Sequence, residues 1–348
     1  MRGAFLRAGA VVLTAVLALS AAGVLAGCGG REKVASAELP VTAAGDPRIF
    51  TMFLGMNMAG YDREPGEAMH PVRQAAREAL ADVDPEEFAE FRTFLGSGGA
   101  GNLAAMVLRD IGGPPEMGTS STMGIIPDIS AALKALWAAH AADLWEEHEA
   151  AHEEYAAELL GPATEAVRSF LAYAGEEESP VSAVHIIPNL LAPSGFASVY
   201  HDDDEDVLYV LLGPGDLRPD ELVREFARFL IADTLREIEL DVGFTRFRPV
   251  HDVAKGLELI SREHPSVGGY IEECLVRALA IRTVCAEEAE ARAELEAAHA
   301  QGLYFTPAFY EALAGYEESE AALLEYLETL LEAVDVDAVL AGLGESAG

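Results

Sequence analysis

Residues 207–230 constrain the fold most. Val207 to Leu212 (VLYVLL) is an unbroken apolar run with the length of a buried strand. Gly213-Pro214-Gly215-Asp216 breaks it. A helix opens at Pro219-Asp220-Glu221, where a proline and two carboxylates suit the unpaired N–H groups of a helix start. Leu222, Phe226 and Leu230 then recur at helical spacing and form its buried stripe. The other face carries Arg224, Glu225 and Arg228, with Glu221 and Glu225 each three residues ahead of an arginine.

Around this unit the pattern is mainly helical. Helices are predicted over 70–82, 85–95, 130–160, 163–174, 218–240, 251–262, 266–287, 288–300, 306–315 and 318–342. The second opens on an Asp84 cap followed by Pro85. Strands are expected at 181–188, 196–200 and 206–212, and residues 47–61 begin with strand-like or buried apolar character. Gly96-Ser97-Gly98-Gly99-Ala100-Gly101 follows a helical pattern and has no Lys-Ser/Thr, so it reads as a turn between helices and not as a phosphate loop. Residues 112–128 read as a loop. The acidic run His201–Asp206 lacks the glycine and spaced glutamate of an EF-hand and reads as a hairpin tip. The fold class is α+β, mostly α-helical, with a small central β-sheet ahead of the helix at 218–240. Residues 46–348 form a single domain.

The N-terminus carries a different signal. Arg2 and Arg7 precede an apolar stretch, Val11 to Leu25, which ends in Leu25-Ala26-Gly27-Cys28. This resembles the bacterial lipoprotein signal, in which the cysteine after a small residue is lipidated and becomes the new N-terminus. It divides the chain into a signal peptide (1–27), a small, polar tether (28–45) and the domain. The mature chain is then membrane-anchored on the exported face of the bacterial cell envelope, without spanning the bilayer. The formal charge of the full sequence is −36, two units more negative once Arg2 and Arg7 are removed. Such a surface repels nucleic acid and anionic lipid headgroups. Lysine is confined to Lys33, Lys134 and Lys255. Cys274 and Cys285, eleven residues apart on one predicted helix, are separated by about 16 Å and too far to pair.

The order of features from Asp46 onward resembles a group of bacterial zincin-like lipoproteins and secreted proteins. Three segments carry the resemblance: 48–80 (RIFTMFLGMNMAGYDREPGEAMHPVRQAAREAL in part), the strand–turn–helix at 207–230, and IEECLVRALAIR at 271–282. The family is similar to metallopeptidases in which a helix bearing HExxH presents two imidazoles to zinc, a glutamate beside the first activates water, and an acidic residue downstream completes the ligand set. By that likeness Arg224-Glu225-Phe226-Ala227-Arg228 is a degenerate HExxH. Glu225 stands as a vestigial catalytic base, and Glu273 or Glu272 stands at the downstream acidic position. A guanidinium has no acceptor lone pair, so Arg224 and Arg228 cannot ligate zinc. Arg224, Arg228 and Glu273 become candidate binding residues, the arginines suited to a ligand carboxylate. No metal or other cofactor is expected at this helix.

A literal motif occurs elsewhere, His148-Glu149-Ala150-Ala151-His152, flanked by Glu146-Glu147 and Glu153-Glu154 and without a preceding strand. Helix packing is its plain reading. Zinc held by His148 and His152 is the alternative, and with it a working peptidase. His185 and His251 read as structural. The leading expectation is a non-catalytic, envelope-anchored zincin-like domain that binds a peptide, protein or cell-wall ligand in a former substrate cleft.

Overall fold

The computed structural model describes residues 38–61, 69–122, 124–215 and 219–346, all within one compact unit, Lys33–Gly348. The signal peptide, Cys28 and the first part of the tether lie outside the described residues. Four strands form the sheet: β1 (Val41–Ala43), β2 (Ala183–Pro188), β3 (Ala197–Asp202) and β4 (Val207–Leu212), in the order β1-β2-β4-β3. β1 and β4 run parallel to β2, and β3 pairs antiparallel to β4. The apolar run at 207–212 is therefore an inner strand with a neighbour on each side, which is why it does not alternate. β1 falls within the stretch read as tether. Three residues are too short for a periodic signal, and the strand exists because β2 offers it an edge.

Alternate residues of the sheet face two cores. Val184, Ile186, Leu208, Val210 and Leu212 face one core with helices α6 (Pro219–Asp241) and α9 (Val267–Val284). Ile187 and Leu211 face the other with α1 (Pro47–Met58), α3 (Ala89–Asp110) and α4 (Ile126–Leu136). Helix α5 (Ala142–Ala174) spans both: Trp145 lies in the second core and Phe170 in the first. Short α2 (Pro71–Ala79) follows α1. The C-terminal part adds α7 (Arg248–Ala254), α8 (Glu258–Glu263), α10 (Glu288–Ala300), α11 (Thr306–Glu317), α12 (Leu323–Ala333) and α13 (Val336–Ser346). The chain is mostly helical with a small mixed sheet, an α+β arrangement.

Three local expectations are corrected. Residues 47–58 are helical, not strand-like. Asp46 caps the helix through bonds from the N–H groups of Arg48 and Ile49, and Pro47 opens it. Every residue from Ile49 to Asn57 is buried, so the amphipathic signature that separates helix from strand is missing. Gly96–Gly101 is no turn but part of α3. A Cβ on Gly101 would stand 2.7 Å from the Ser198 hydroxyl oxygen on β3, so glycine permits a close helix–sheet approach there. The helices expected at 130–160 and 163–174 are one, joined through Pro162, and a single π-turn at Trp137–Ala141 links α4 to α5. The acidic run is the β3–β4 turn. The Asp202 carboxylate accepts from the N–H groups of Asp204 (2.9 Å) and Glu205 (3.1 Å), which spends it on the turn.

Candidate functional site

Helix α6 leaves β4 across a short turn and packs Leu222, Phe226 and Leu230 into the core. That placement directs Arg224, Glu225 and Arg228 toward α9, whose Glu272 and Glu273 meet them. Arg228 is the centre of the arrangement. Its Nη1 is 2.5 Å from Glu225 Oε1, its Nη2 2.5 Å from Glu273 Oε2, and its Nε 2.9 Å from Glu272 Oε1. Arg224 Nη1 lies 3.4 Å from Glu273 Oε1, and its Nη2 3.7 Å from Glu221. Arg277, one turn beyond Glu273, approaches the same carboxylate at 3.9 Å. Glu273 thus sits among three guanidiniums, its side chain only 9% exposed. Four glutamates meet three arginines.

Burial and charge compete here. Burial alone would lower the Arg228 pKa, yet Glu225 and Glu273 beside it carry it above the ordinary arginine value. For Glu272 burial prevails over the attraction of Arg228, and its carboxyl is held above the usual carboxylate range. His264, half-buried after α8, feels the charges of Glu273 and Arg228, and burial lowers its pKa. Sequence reading missed this histidine. It belongs to no motif and reaches the cluster only through the turn between α8 and α9.

The sequence-predicted residues Arg224, Glu225, Arg228 and Glu273 are thus brought together, with Glu272 beside them. The carboxylates that the arginines hold are the chain's own. Zinc, which the likeness to zincins implies, does not fit these residues. Both imidazole positions are guanidiniums, and the carboxylates that would face a metal face Arg228.

The literal motif lies elsewhere on the frame. His152 is buried. Its Nδ1 donates to the His148 carbonyl (2.9 Å), and its Nε2 accepts from the Leu190 N–H (3.2 Å), so backbone groups occupy both nitrogens. Phe50 and Trp145 pack around the ring at 5.5 and 5.3 Å. Burial lowers its pKa and keeps it neutral. His148 Nε2 has no hydrogen-bond partner, but one imidazole makes no metal centre. Among the described residues no three His, Cys, Asp or Glu side chains are grouped to hold a metal ion. Nor does α5 bring this motif to Glu225. Helix α5 meets α6 where Phe170 packs on Phe226, and Phe170 is 18 residues past His152, about 27 Å along the axis.

The lone histidines have structural partners. His185 shares a hydrogen bond with Thr42, and His251 Nε2 donates to the His264 carbonyl at 2.9 Å. Cys274 and Cys285 are both free thiols. Burial pushes Cys274 up to about 12 and Cys285 to about 11. Comparison with protein families, curated proteins and solved structures finds no match to this chain.

Proposed function

We propose that the chain is an envelope-anchored lipoprotein whose globular part is a zincin-like domain without its metal, acting by binding and not by hydrolysis. One observation carries the reading. The Arg228 guanidinium lies among Glu225, Glu272 and Glu273, at 2.5 Å from two of them. By the likeness to zincins, Glu225 and the downstream glutamate would serve a metal and its water. A fixed cation that can neither ligate a metal nor take a proton from a water stands between them, which supports a retained frame with lost chemistry.

The ligand on this reading is a peptide, protein or cell-wall component lying over the former cleft. Its carboxylate reaches Arg224 or Arg228 only in exchange for one of the glutamates that hold them. The anchor rests on Leu25-Ala26-Gly27-Cys28. Cys28→Ser is expected to release the chain from the membrane fraction or leave its precursor unprocessed; unchanged mass and fractionation would rule the anchor out.

Zinc titration tests the frame. The purified parent chain is expected to carry zinc well below one per chain. Arg224→His with Arg228→His supplies two imidazoles at i and i+4 beside Glu225 and Glu273 and is expected to gain measurable zinc affinity. Catalysis need not return, because a misplacement of about 1 Å costs roughly a hundredfold in rate. A double variant that folds and binds zinc no better than the parent sinks the zincin reading. One tightly held zinc per parent chain sinks the loss of the metal.

A further inference from the structure

We propose that the surface formed by residues 240–259 lies against a lipid bilayer, with its apolar side chains at the headgroup–acyl boundary. The orientation rests on the anchoring reading above, but the surface itself is defined by observations independent of it. Among the described residues seven large hydrophobic side chains are exposed, and five fall in this short stretch: Leu240 (78%), Val242 (63%), Val253 (47%), Leu259 (44%) and Leu257 (38%). Five exposed apolar side chains within twenty residues are a concentration in sequence, unlike the single exposed residues that are normal on a surface.

The local chain explains the exposure. The 3₁₀ turn Thr245–Phe247 runs directly into α7. Phe247, Val250, His251 and Ala254 point into the protein, so Arg246, Pro249, Asp252 and Val253 share the outer side. Across 240–259 the charged residues are Asp241, Arg246, Arg248, Asp252, Lys255 and Glu258, three of each sign, so this stretch is neutral in a chain of −36. All three cations are exposed. Arg246 is held over the Phe247 ring at 4.4 Å and donates to the Leu331 carbonyl. Exposed apolar side chains on a locally neutral stretch of an otherwise acidic chain suit the headgroup–acyl boundary of a bilayer. Glu237 and Glu239 precede the stretch, so apolar contact and not net charge carries the proposal.

Topology puts this patch where an anchored chain would meet its membrane. Helix α6 runs back along the sheet: it starts after the C-terminal end of β4, and Phe229 packs at 4.8 Å on His201, which pairs with Leu208 near the β4 N-terminus. Leu240 is eleven residues further, about 16 Å beyond that end. β1 and β4 are both parallel to β2, so Leu39 and Pro40 stand at this same end, where the Pro40 carbonyl accepts from the Val184 N–H. From Leu39 back to Cys28 is eleven residues, a reach of at most about 40 Å. Leu39 and Pro40, from which the chain leads back toward Cys28, and the end of α6 at Leu240 therefore lie toward the same end of the sheet.

The test uses the full processed chain on phosphatidylglycerol–phosphatidylcholine vesicles whose acyl chains are brominated. Val253→Trp reports the patch, with the parent's Trp137 and Trp145 signal subtracted. Leu160→Trp is the control. That exposed residue lies five positions past Tyr155, whose hydroxyl bonds the Gly213 and Gly215 carbonyls at the opposite end of β4. Several-fold stronger bromine quenching at Val253 than at Leu160 is expected, and Leu240→Trp replaces Val253→Trp if the latter misfolds. Equal or absent quenching at the patch overturns the proposal, whether or not Cys28 carries lipid. A blue shift that grows with protein concentration without quenching also overturns it, by assigning the face to a second copy. Intact mass and flotation report the anchor separately, so either idea can fail alone.

Discussion

Helices α5 and α6 both carry the spacing of a zinc motif, and they use it in opposite ways. On α5 the letters are complete, yet the helix turns His152 into an aromatic core where a backbone N–H and a backbone carbonyl take its two nitrogens. On α6 arginines stand at the i and i+4 positions, yet the helix sits between a strand and a facing helix, and its polar side gathers glutamates from α9. A metal site is a placement before it is a spelling. The α6 residues converge with those of α9 although they spell no motif, and the α5 residues spell a motif without converging on a site.

The comparison would break first at Glu273. Removing its carboxylate leaves Arg224, Arg228 and Arg277 clustered with less opposite charge, and breaking a buried ion pair from one side costs about 3–5 kcal/mol. Glu273→Ala is expected to lose that much in urea denaturation. A loss below about 1 kcal/mol would mean that the cluster is a solvated helix face and that the convergence on α6 does little for the fold.

The α5 side of the comparison is sharpened by His152→Leu. The ring volume is largely kept, but the Leu190 N–H loses its acceptor, a cost of about 1–3 kcal/mol. The pH dependence carries a sign. The folded-state pKa of His152 lies below its ordinary value because of burial, so its contribution is fully present above about pH 6.5 and is lost as pH falls through the lowered value. The variant should therefore lose less stability than the parent on acidification below that point. Parallel profiles would show that the ring is not held neutral by its site, and would reopen His148 and His152 as ligands.

How much of this was legible follows from which interactions are local. The strand–turn–helix at 207–230 and the i+3 pairs Glu221–Arg224 and Glu225–Arg228 are written within a few residues, and the sequence reading found them. That Glu273 meets Arg228 depends on α6 packing against α9 across a separation of 45 positions, which the residues alone indicated only through a likeness. α1 was misread because burial on all sides erases periodicity, although its Asp46-Pro47 start was a readable cap. β1 was missed because its cause is the edge of β2, 140 residues away. The glycines of α3 carried a turn signal, whereas Gly101 serves close packing against Ser198. His264 could not be found, since its relation to Arg228 is electrostatic and tertiary.

The smallest effect concerns Glu272, and it separates a charge that supports the cluster from one that burdens it. Glu272 lies 2.9 Å from Arg228 Nε, which by itself favours the ionised form, but its burial costs more, and the folded-state pKa is raised above the ordinary value. A raised carboxyl contributes stability that is complete below the unfolded-state pKa and is lost as pH rises through the folded one. At neutral pH the ionised carboxylate is then a net burden. Glu272→Gln removes the charge while keeping an oxygen to accept from Arg228. It is expected to leave stability unchanged or raise it by under about 1 kcal/mol at pH 7, with no gain near pH 4, where the carboxyl is already protonated. Glu273 contacts three guanidiniums and not one, so Glu273→Gln removes more ion-pair contacts and is expected to destabilise at pH 7. Equal losses from both glutamine variants at pH 7 would make the two glutamates interchangeable partners of Arg228 and remove any reason to single out Glu273 as the downstream position of the frame.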